Sequence, residues 1–286
     1  MKTKVLVTGA QGQLAQTLKE LYVADDNIDF TFTSKFDLDI TNSEEVSTFF
    51  IQNSFEFCIN CAAYTNVEQA ETTPEAAFLV NAEGVKNLAN ACKLNGVILI
   101  HISTDYVFDG KKQTPYTEDD HTHPINEYGK SKLKGEEYIR KILTRYFIIR
   151  TSWLYSKYGH NFLKFVMGKI QNQEQLKITT SQIGTPTSCN DLSEFLIQLI
   201  KQNVTNFGIY HFSAKGETNW YQFALQICKH FNNYDCNNIV PVKTFLSKAM
   251  RPNYSILDNY KAKLLFKKDV YWQMSVDKVI TDLSKK

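Results

Sequence analysis

The opening residues MKTKVLVTGAQGQLA restrict the fold more than any other stretch of the chain: a short β-rich run, KVLVT, then Gly9 and Gly12, then a helical pattern over 13–23. A strand that turns into a helix within a few residues needs positions without Cβ. The backbone brought close in this way can meet a pyrophosphate with the N–H groups of the helix N-terminus. Ala15 stands where a further glycine often occurs in such loops, and it is small enough to keep the helix close to the strand. A G-x-x-G alone is a weak signal; following the first strand of a βαβ unit gives it weight.

The alternation continues. DFTFT reads as a strand, 43–52 as a helix behind TNSEE, FEFCINCA as a strand and Pro74 to Asn95 as a helix. GVILIHIS is the next strand, followed by a helix that includes Lys132 and by the strand YFIIRTS. This order predicts an α/β protein built on a doubly wound, Rossmann-like parallel sheet with helices on both faces. After about residue 151 the rhythm loosens into a helix near 161–171, the strand LKITT, a helix from Asp191 to Gln202, the strand GIYHFS, a helix from Asn219 to Phe231 and two short C-terminal helices. The expected division is a dinucleotide-binding domain over 1–150, which elements near 186–212 rejoin, and a smaller, interleaved α/β substrate domain drawn mainly from 151–286.

A formal net charge of +2 from scattered basic residues offers neither a nucleic-acid stripe nor a polybasic membrane anchor, so no nucleic acid and no membrane partner is expected. The first apolar run spans four residues, too short for a secretory core, and no segment is long and apolar enough to cross a bilayer; a cytoplasmic protein acting on small molecules is the expectation. Six cysteines at irregular spacing do not make a disulfide framework. The C-x-x-C of CINC lies in a strand, where positions three apart point to opposite faces, and reads as reduced buried thiols. No histidine pattern suggests a metal site.

Ligands of such sheets lie beyond the C-terminal ends of the strands. After the second strand come Ser34 and Lys35 with no acid directly at the strand end, which favours a 2′-phosphate and hence NADP(H), with NAD(H) tolerated. Ala62 and Ala63 after the third strand would let a cofactor cross the sheet edge. Ser103, Thr104, Asp105 and Tyr106 leave the fourth strand in succession and project polar groups into the crevice. In NEYGKSKLKGEEY, the i, i+4 spacing puts Tyr128 and Lys132 on one helix face. There an ammonium would lower the phenol from its usual pKa of about 10, and the phenol could protonate a carbonyl oxygen as hydride arrives at carbon.

TGAQGQL, STDYVFDG, YGKSKLKGE, RTSWLY and RPNYS, in this order, resemble the extended short-chain dehydrogenase/reductases from about residue 3 to about residue 260. The resemblance is nearest to the members that reduce the 4-keto group of dTDP-4-dehydro-L-rhamnose. It implies that Tyr128 is the general acid, that Lys132 is its partner and grips the nicotinamide ribose, and that Thr104 is the third member. It implies a pyrophosphate loop at Gly12, Gln13 and Leu14, an adenine-side contact at Asp39 and Ile40, and a loop under the cofactor at Ala63, Tyr64 and Thr65. Asp105, Tyr106 and Trp153 match substrate-contacting positions, with Val67, Glu68, Asn161 and Arg251 as further candidates. By chemistry alone Trp153 suits a sugar face or a core, and Arg251 a diphosphate fork or a surface salt bridge.

Sugar-nucleotide dehydratases of this family carry Asp-Glu after the threonine; Tyr106 replaces that glutamate, which fits ketone reduction rather than dehydration. The implied reaction is NADPH- or NADH-dependent reduction of a dTDP-sugar substrate by a monomer or homodimer. Two alternatives stand beside it: a reductase or epimerase of another nucleotide sugar, and a cofactor-binding regulatory subunit like that of methionine adenosyltransferase. The basic tail ITDLSKK gives no support to a metal-linked dimer.

Overall fold

In the computed structural model, which describes residues 1–243 and 246–284, the first half of the chain runs β1 (Thr3–Thr8), α1 (Gln13–Tyr22), β2 (Ile28–Thr33), α2 (Ser43–Gln52), β3 (Phe57–Asn60), α3 (Val67–Ala70), α4 (Pro74–Phe78), α5 (Val85–Asn95), β4 (Ile98–Thr104), α6 (Glu127–Ile142) and β5 (Tyr146–Thr151). The second half runs β6 (Leu154–Tyr155), α7 (Phe162–Gln171), β7 (Leu176–Thr179), β8 (Ile183–Gly184), β9 (Thr187–Ser188), α8 (Cys189–Lys201), β10 (Gly208–His211), β11 (Thr218–Asn219), α9 (Trp220–Cys228), β12 (Ile239–Val242), α10 (Tyr260–Leu265) and α11 (Trp272–Ser284).

The main sheet has the order β10-β5-β4-β3-β1-β2, and every pairing in it is parallel. Chain order reverses between β1 and β3, which opens a crevice at the C-terminal ends of the strands. The inner strands β1, β3, β4 and β5 are buried on both faces, with residues alternating between two cores at a period of two. Val5, Val7, Ile59, Ile100, Phe147 and Ile149 pack against α1 and α8, while Leu6, Cys58, Leu99 and Ile148 pack against α2, α5 and α6. Cys58 and Cys61 accordingly belong to opposite cores.

A third core gathers Tyr155, Leu163, Val166, Phe223, Ile227, Trp272 and Val276 from the second half of the chain. Beside the apolar packing of α8 on the sheet, polar links tie α1 to the segment around β6. Gln13 Nε2 donates to Leu154 O at 3.1 Å, and Lys157 pairs with Glu20.

Three expectations need correction. The helix expected from Pro74 to Asn95 contains a six-residue π-helical stretch, Leu79–Gly84. The extra residue per turn aims Asn81 inward, where its Oδ1 accepts from Tyr64 N at 2.9 Å and its Nδ2 donates to Tyr64 O and to Ser131 Oγ. Of the two short C-terminal helices, α11 is long, with thirteen residues, because its buried face completes the third core. Cys228 and Cys236 are disulfide-bonded: the chain doubles back after α9 and brings their Cα atoms to 6.0 Å.

Candidate active site

Two cavities of about 470 and about 280 Å3 open on the C-terminal edge of the sheet and share Gln11, Gly12, Cys61 and Ala63. The smaller one reaches Ser34, Lys35, Asp39, Ile40, Ala62 and Tyr64; the larger reaches Gln13, Leu14, Thr65, Thr104, Asp105, Tyr128, Lys132 and Trp153. Between them the chain turns at Gly9, whose φ of +70° favours glycine and whose absent Cβ would sit 2.7 Å from Ala62 N.

The N-terminus of α1 lacks the side-chain cap found on α2, α6 and α8; α5 also begins without one, but as the continuation of the π-helical stretch 79–84. α2, α6 and α8 are capped by side chains of Asn42, Asn126 and Ser188, whereas Gly12 caps α1 without any side-chain hydrogen bond. No acid lies in its first turn. An uncapped N-terminus beside a close backbone turn is a surface fitted to a diphosphate.

At the rim, Lys35 reaches Asp39 at 3.7 Å with most of its side chain in solvent. Ser34 is tied to Asp37, and the Asp39 carboxylate accepts from Thr41 N and Oγ1. Lys35 is a cation beside a hydroxyl, as a 2′-phosphate would require.

The helix that bears Tyr128 and Lys132 starts with Asn126 accepting from Gly129 N at 2.7 Å. Gly129 is required by packing, since a Cβ there would lie 2.2 Å from Tyr106 O. That contact seats α6 against the residues that follow β4. Tyr128 is half-buried and lines the larger cavity, its ring edge-on to Tyr106 at 5.8 Å. Desolvation pushes its phenol up to about 12; a hydrogen bond with Thr104 opposes the rise and the Asp105 charge adds to it. This corrects the expected lowering by Lys132. The Lys132 ammonium is directed away, with Nζ donating to Ile102 O at 2.6 Å and 3.3 Å from His101 Nε2. Burial lowers Lys132 to about 8 against the opposing pull of Glu136 and Cys61.

One turn beyond Lys132, Glu136 is buried in an ion pair. Its oxygens accept from Arg150 Nε and Nη2 at 3.0 and 2.7 Å and from Ser103 Oγ at 2.5 Å, so β4, β5 and α6 are pinned together. Thr104 Oγ1 accepts from Tyr106 N at 3.2 Å and donates to Asp105 Oδ1 at 3.1 Å. Asp105 is buried, and desolvation pushes it up to about 6 against hydrogen bonds from Ser255 and Thr104; its Oδ2 has no hydrogen-bond partner among the described residues.

The remaining expected positions differ in what they touch. Trp153 leaves β5 with φ +47° and stacks on Trp220 at 3.7 Å, so one ring face is covered. Glu68 and Arg251 meet each other at 2.7 Å, with Ser247 Oγ and Lys248 N also donating to Glu68. Asn161 lies outside the cavity wall: it caps α7 through Lys164 N and donates to Gln13 Oε1, Ser156 O and Tyr158 O. Val67 opens α3 and lines neither cavity.

Thr151 and Ser152, at the end of β5 as Thr104 is at the end of β4, also line the larger cavity, as do Gly159 and His160 in the loop before α7, which no motif marks. His101 and Trp220 carry no local signal of a site; only the folded chain brings them to Lys132 and Trp153.

A family model described as the RmlD substrate binding domain matches residues 3–285. The chain is 37% identical over 275 residues to a dTDP-4-dehydrorhamnose reductase of Aggregatibacter actinomycetemcomitans, covering 92% of this chain and 93% of that one. It is 37% identical over 237 residues to one of Sinorhizobium fredii, covering 81% and 78%. A crystal structure of dTDP-4-dehydrorhamnose reductase from Bacillus anthracis in complex with NADP superposes with a TM-score of 0.94 at 37% identity, over 99% of this chain and all of that one. With a strand-end threonine, a tyrosine and a lysine meeting in one cleft beside an uncapped glycine loop, and with likeness along nearly its whole length, the chain belongs to the dTDP-4-dehydrorhamnose reductase family.

Proposed function

We propose that this protein reduces the 4-keto group of dTDP-4-dehydro-L-rhamnose to give dTDP-L-rhamnose, with NADPH as the preferred cofactor. The observation that carries the reading is the meeting of Thr104, Tyr128 and Lys132 in one cavity continuous with the α1 N-terminus, in a chain alike end to end to proteins named for this reaction. Residues 1–150, with α8 and β10 returning to the same layer, are read as the cofactor half, and most of 151–286 as the sugar-nucleotide half. The reading puts the enzyme in the cytoplasm as a monomer or homodimer.

The N–H groups of Gly12, Gln13 and Leu14 would hold the cofactor diphosphate, Ser34 and Lys35 its 2′-phosphate, and Asp39 and Ile40 the adenine side. Ala62, Ala63, Tyr64 and Thr65 would form the floor, and Lys132 would take the nicotinamide ribose. The bound cofactor supplies a hydride.

Tyr128 supplies the proton. A phenol held up at about 12 keeps its proton while the substrate oxygen is a carbonyl and releases it as that oxygen gains alkoxide character, so the transfer is strongest where charge develops. Thr104 steadies the same oxygen, and its hydroxyl proton must swing from Asp105 to do so. Asp105 and Tyr106 would meet the sugar, with Trp153 in the cavity wall beside it, and Arg251 the diphosphate end near Glu68.

The test is NADPH oxidation by the purified protein supplied with dTDP-4-dehydro-L-rhamnose, followed by identification of the product. A protein that binds NADPH but leaves it unoxidised with this substrate would overturn the reading.

A further inference from the structure

His101 lies on β4 at the base of the cleft with no solvent exposure and meets a polar group at each ring nitrogen. Nδ1 is 3.0 Å from Asn60 Nδ2, and Nε2 is 3.3 Å from Lys132 Nζ. The Asn60 amide has no choice of orientation. Its Oδ1 accepts from Thr8 Oγ1 at 2.7 Å and from Ala62 N at 3.1 Å, so the end that faces His101 is the NH2, a donor only.

His101 Nδ1 must therefore accept. An imidazolium would set two donors against each other at that position, so the ring is neutral and carries its hydrogen on Nε2. Burial and the Lys132 charge likewise hold His101 well below its ordinary pKa. That Nε2 hydrogen points at Lys132. An ammonium has three donors and no lone pair, and one of its donors goes to Ile102 O. Facing Nε2–H, the ammonium meets another donor, whereas the neutral amine accepts from it.

We propose that His101 is a positioning residue for Lys132: its Nε2–H, oriented by Thr8 and Asn60, meets the ammonium donor to donor, weakens the buried site's hold on it and turns it toward the cleft, where a ligand hydroxyl can accept from it.

No other neighbour reverses this. Glu136 faces Lys132 from one turn further along α6, but its oxygens are matched by Arg150 and Ser103. Cys61 faces it from the end of β3 as a neutral thiol, its pKa raised by burial. Tyr128, one turn back, holds its proton.

The proposal rests on Lys132 belonging to the reaction machinery, yet its test needs no turnover. In the full-length protein carrying 15N-histidine and 13C-lysine, NMR should show His101 as the neutral Nε2–H tautomer. Lys132, assigned with a Lys132→Met variant, should titrate below the other lysines. His101→Gln places at the Nε2 position an amide that can turn its carbonyl to the ammonium, and should raise the Lys132 midpoint by about one unit, a ten-fold gain in proton affinity. The basic limb of the kcat/KM profile should move with it. His101→Asn keeps the acceptor for Asn60 but leaves nothing at Nε2, and should give an intermediate midpoint. An imidazolium or an Nδ1–H tautomer in the unmodified protein would overturn the proposal, whether or not the variants fold. So would an unchanged midpoint in a folded His101→Gln protein. If the sugar nucleotide is not reduced while the tautomer and midpoint behave as stated, the functional reading fails and this one stands.

Discussion

Lys132 and Lys130 are two residues apart on α6 and live in opposite surroundings. Lys130 pairs with Glu127 at 2.7 Å with half its side chain in water, and that partner raises its pKa. Lys132 is buried against β4, and burial lowers it. The same division runs along the helix: Tyr128, Lys132 and Glu136 form a face of i, i+4 neighbours turned to the sheet, while Lys130, Lys134 and Glu137 form salt bridges in solvent. One helix thus carries a face where a proton or a charge changes much and a face where it changes little. What separates them is the dielectric around each group, not residue type.

The sharpest way to break this comparison is Tyr128→Phe, which keeps the ring contact with Tyr106 and deletes the proton. Turnover should fall by about 10^2 to 10^4-fold in steady-state NADPH oxidation, with NADPH affinity unchanged. Undiminished turnover would remove Tyr128 from the chemistry.

Next is Glu136→Ala, which leaves Arg150 buried without its anion. Loss of one partner of a buried pair costs about 3–5 kcal/mol, read from urea unfolding, whereas Glu137→Ala on the opposite face should be close to neutral. Equal losses at the two positions would show that burial does not distinguish the faces.

Asp105 tests the buried side with the opposite sign. Its pKa of about 6 lies above the unfolded value, so the folded protein holds that proton more tightly than the unfolded chain. Its contribution to stability is therefore greatest below about pH 4, falls as the pH rises through the window up to 6, and at pH 7 is a net cost. Asp105→Asn should accordingly raise stability at pH 7 by on the order of 2 kcal/mol and flatten the pH dependence between 4 and 6, while weakening kcat/KM for the sugar nucleotide. Unfolding midpoints at pH 5 and pH 7 decide it.

Much of this site is legible in the linear chain because its parts are local. Gly9, Gly12, Thr104 and the Tyr128/Lys132 pair each sit where one strand end or one helix turn dictates direction. The sheet was legible for the same reason, since apolar runs of period two alternate with helical ones. Features that depend on tertiary approach were not legible. The π-helical stretch at 79–84 answers to Tyr64 and Ser131, far away in sequence; Asn161 looks like a ligand contact until Gln13 and the 156–158 carbonyls engage it. The direction of the Tyr128 shift is not legible either, because spacing shows that two side chains share a face but not which group each one bonds.

The smallest effect is the most demanding test of the comparison. Lys134→Gln removes a cation 3.0 Å from Glu137 and about 5 Å from the Tyr138 ring, on a side chain nearly half exposed. Such a pair contributes about 0.5 kcal/mol or less, because water screens the attraction and both side chains lose rotamer freedom in making it. Stability should therefore stay within about 0.5 kcal/mol and kcat should not change, although Lys134 is only two residues from Lys132. A change in kcat without a change in stability would mean that charge on the solvent face is felt across the helix, and that α6 does not insulate its buried groups as its packing implies.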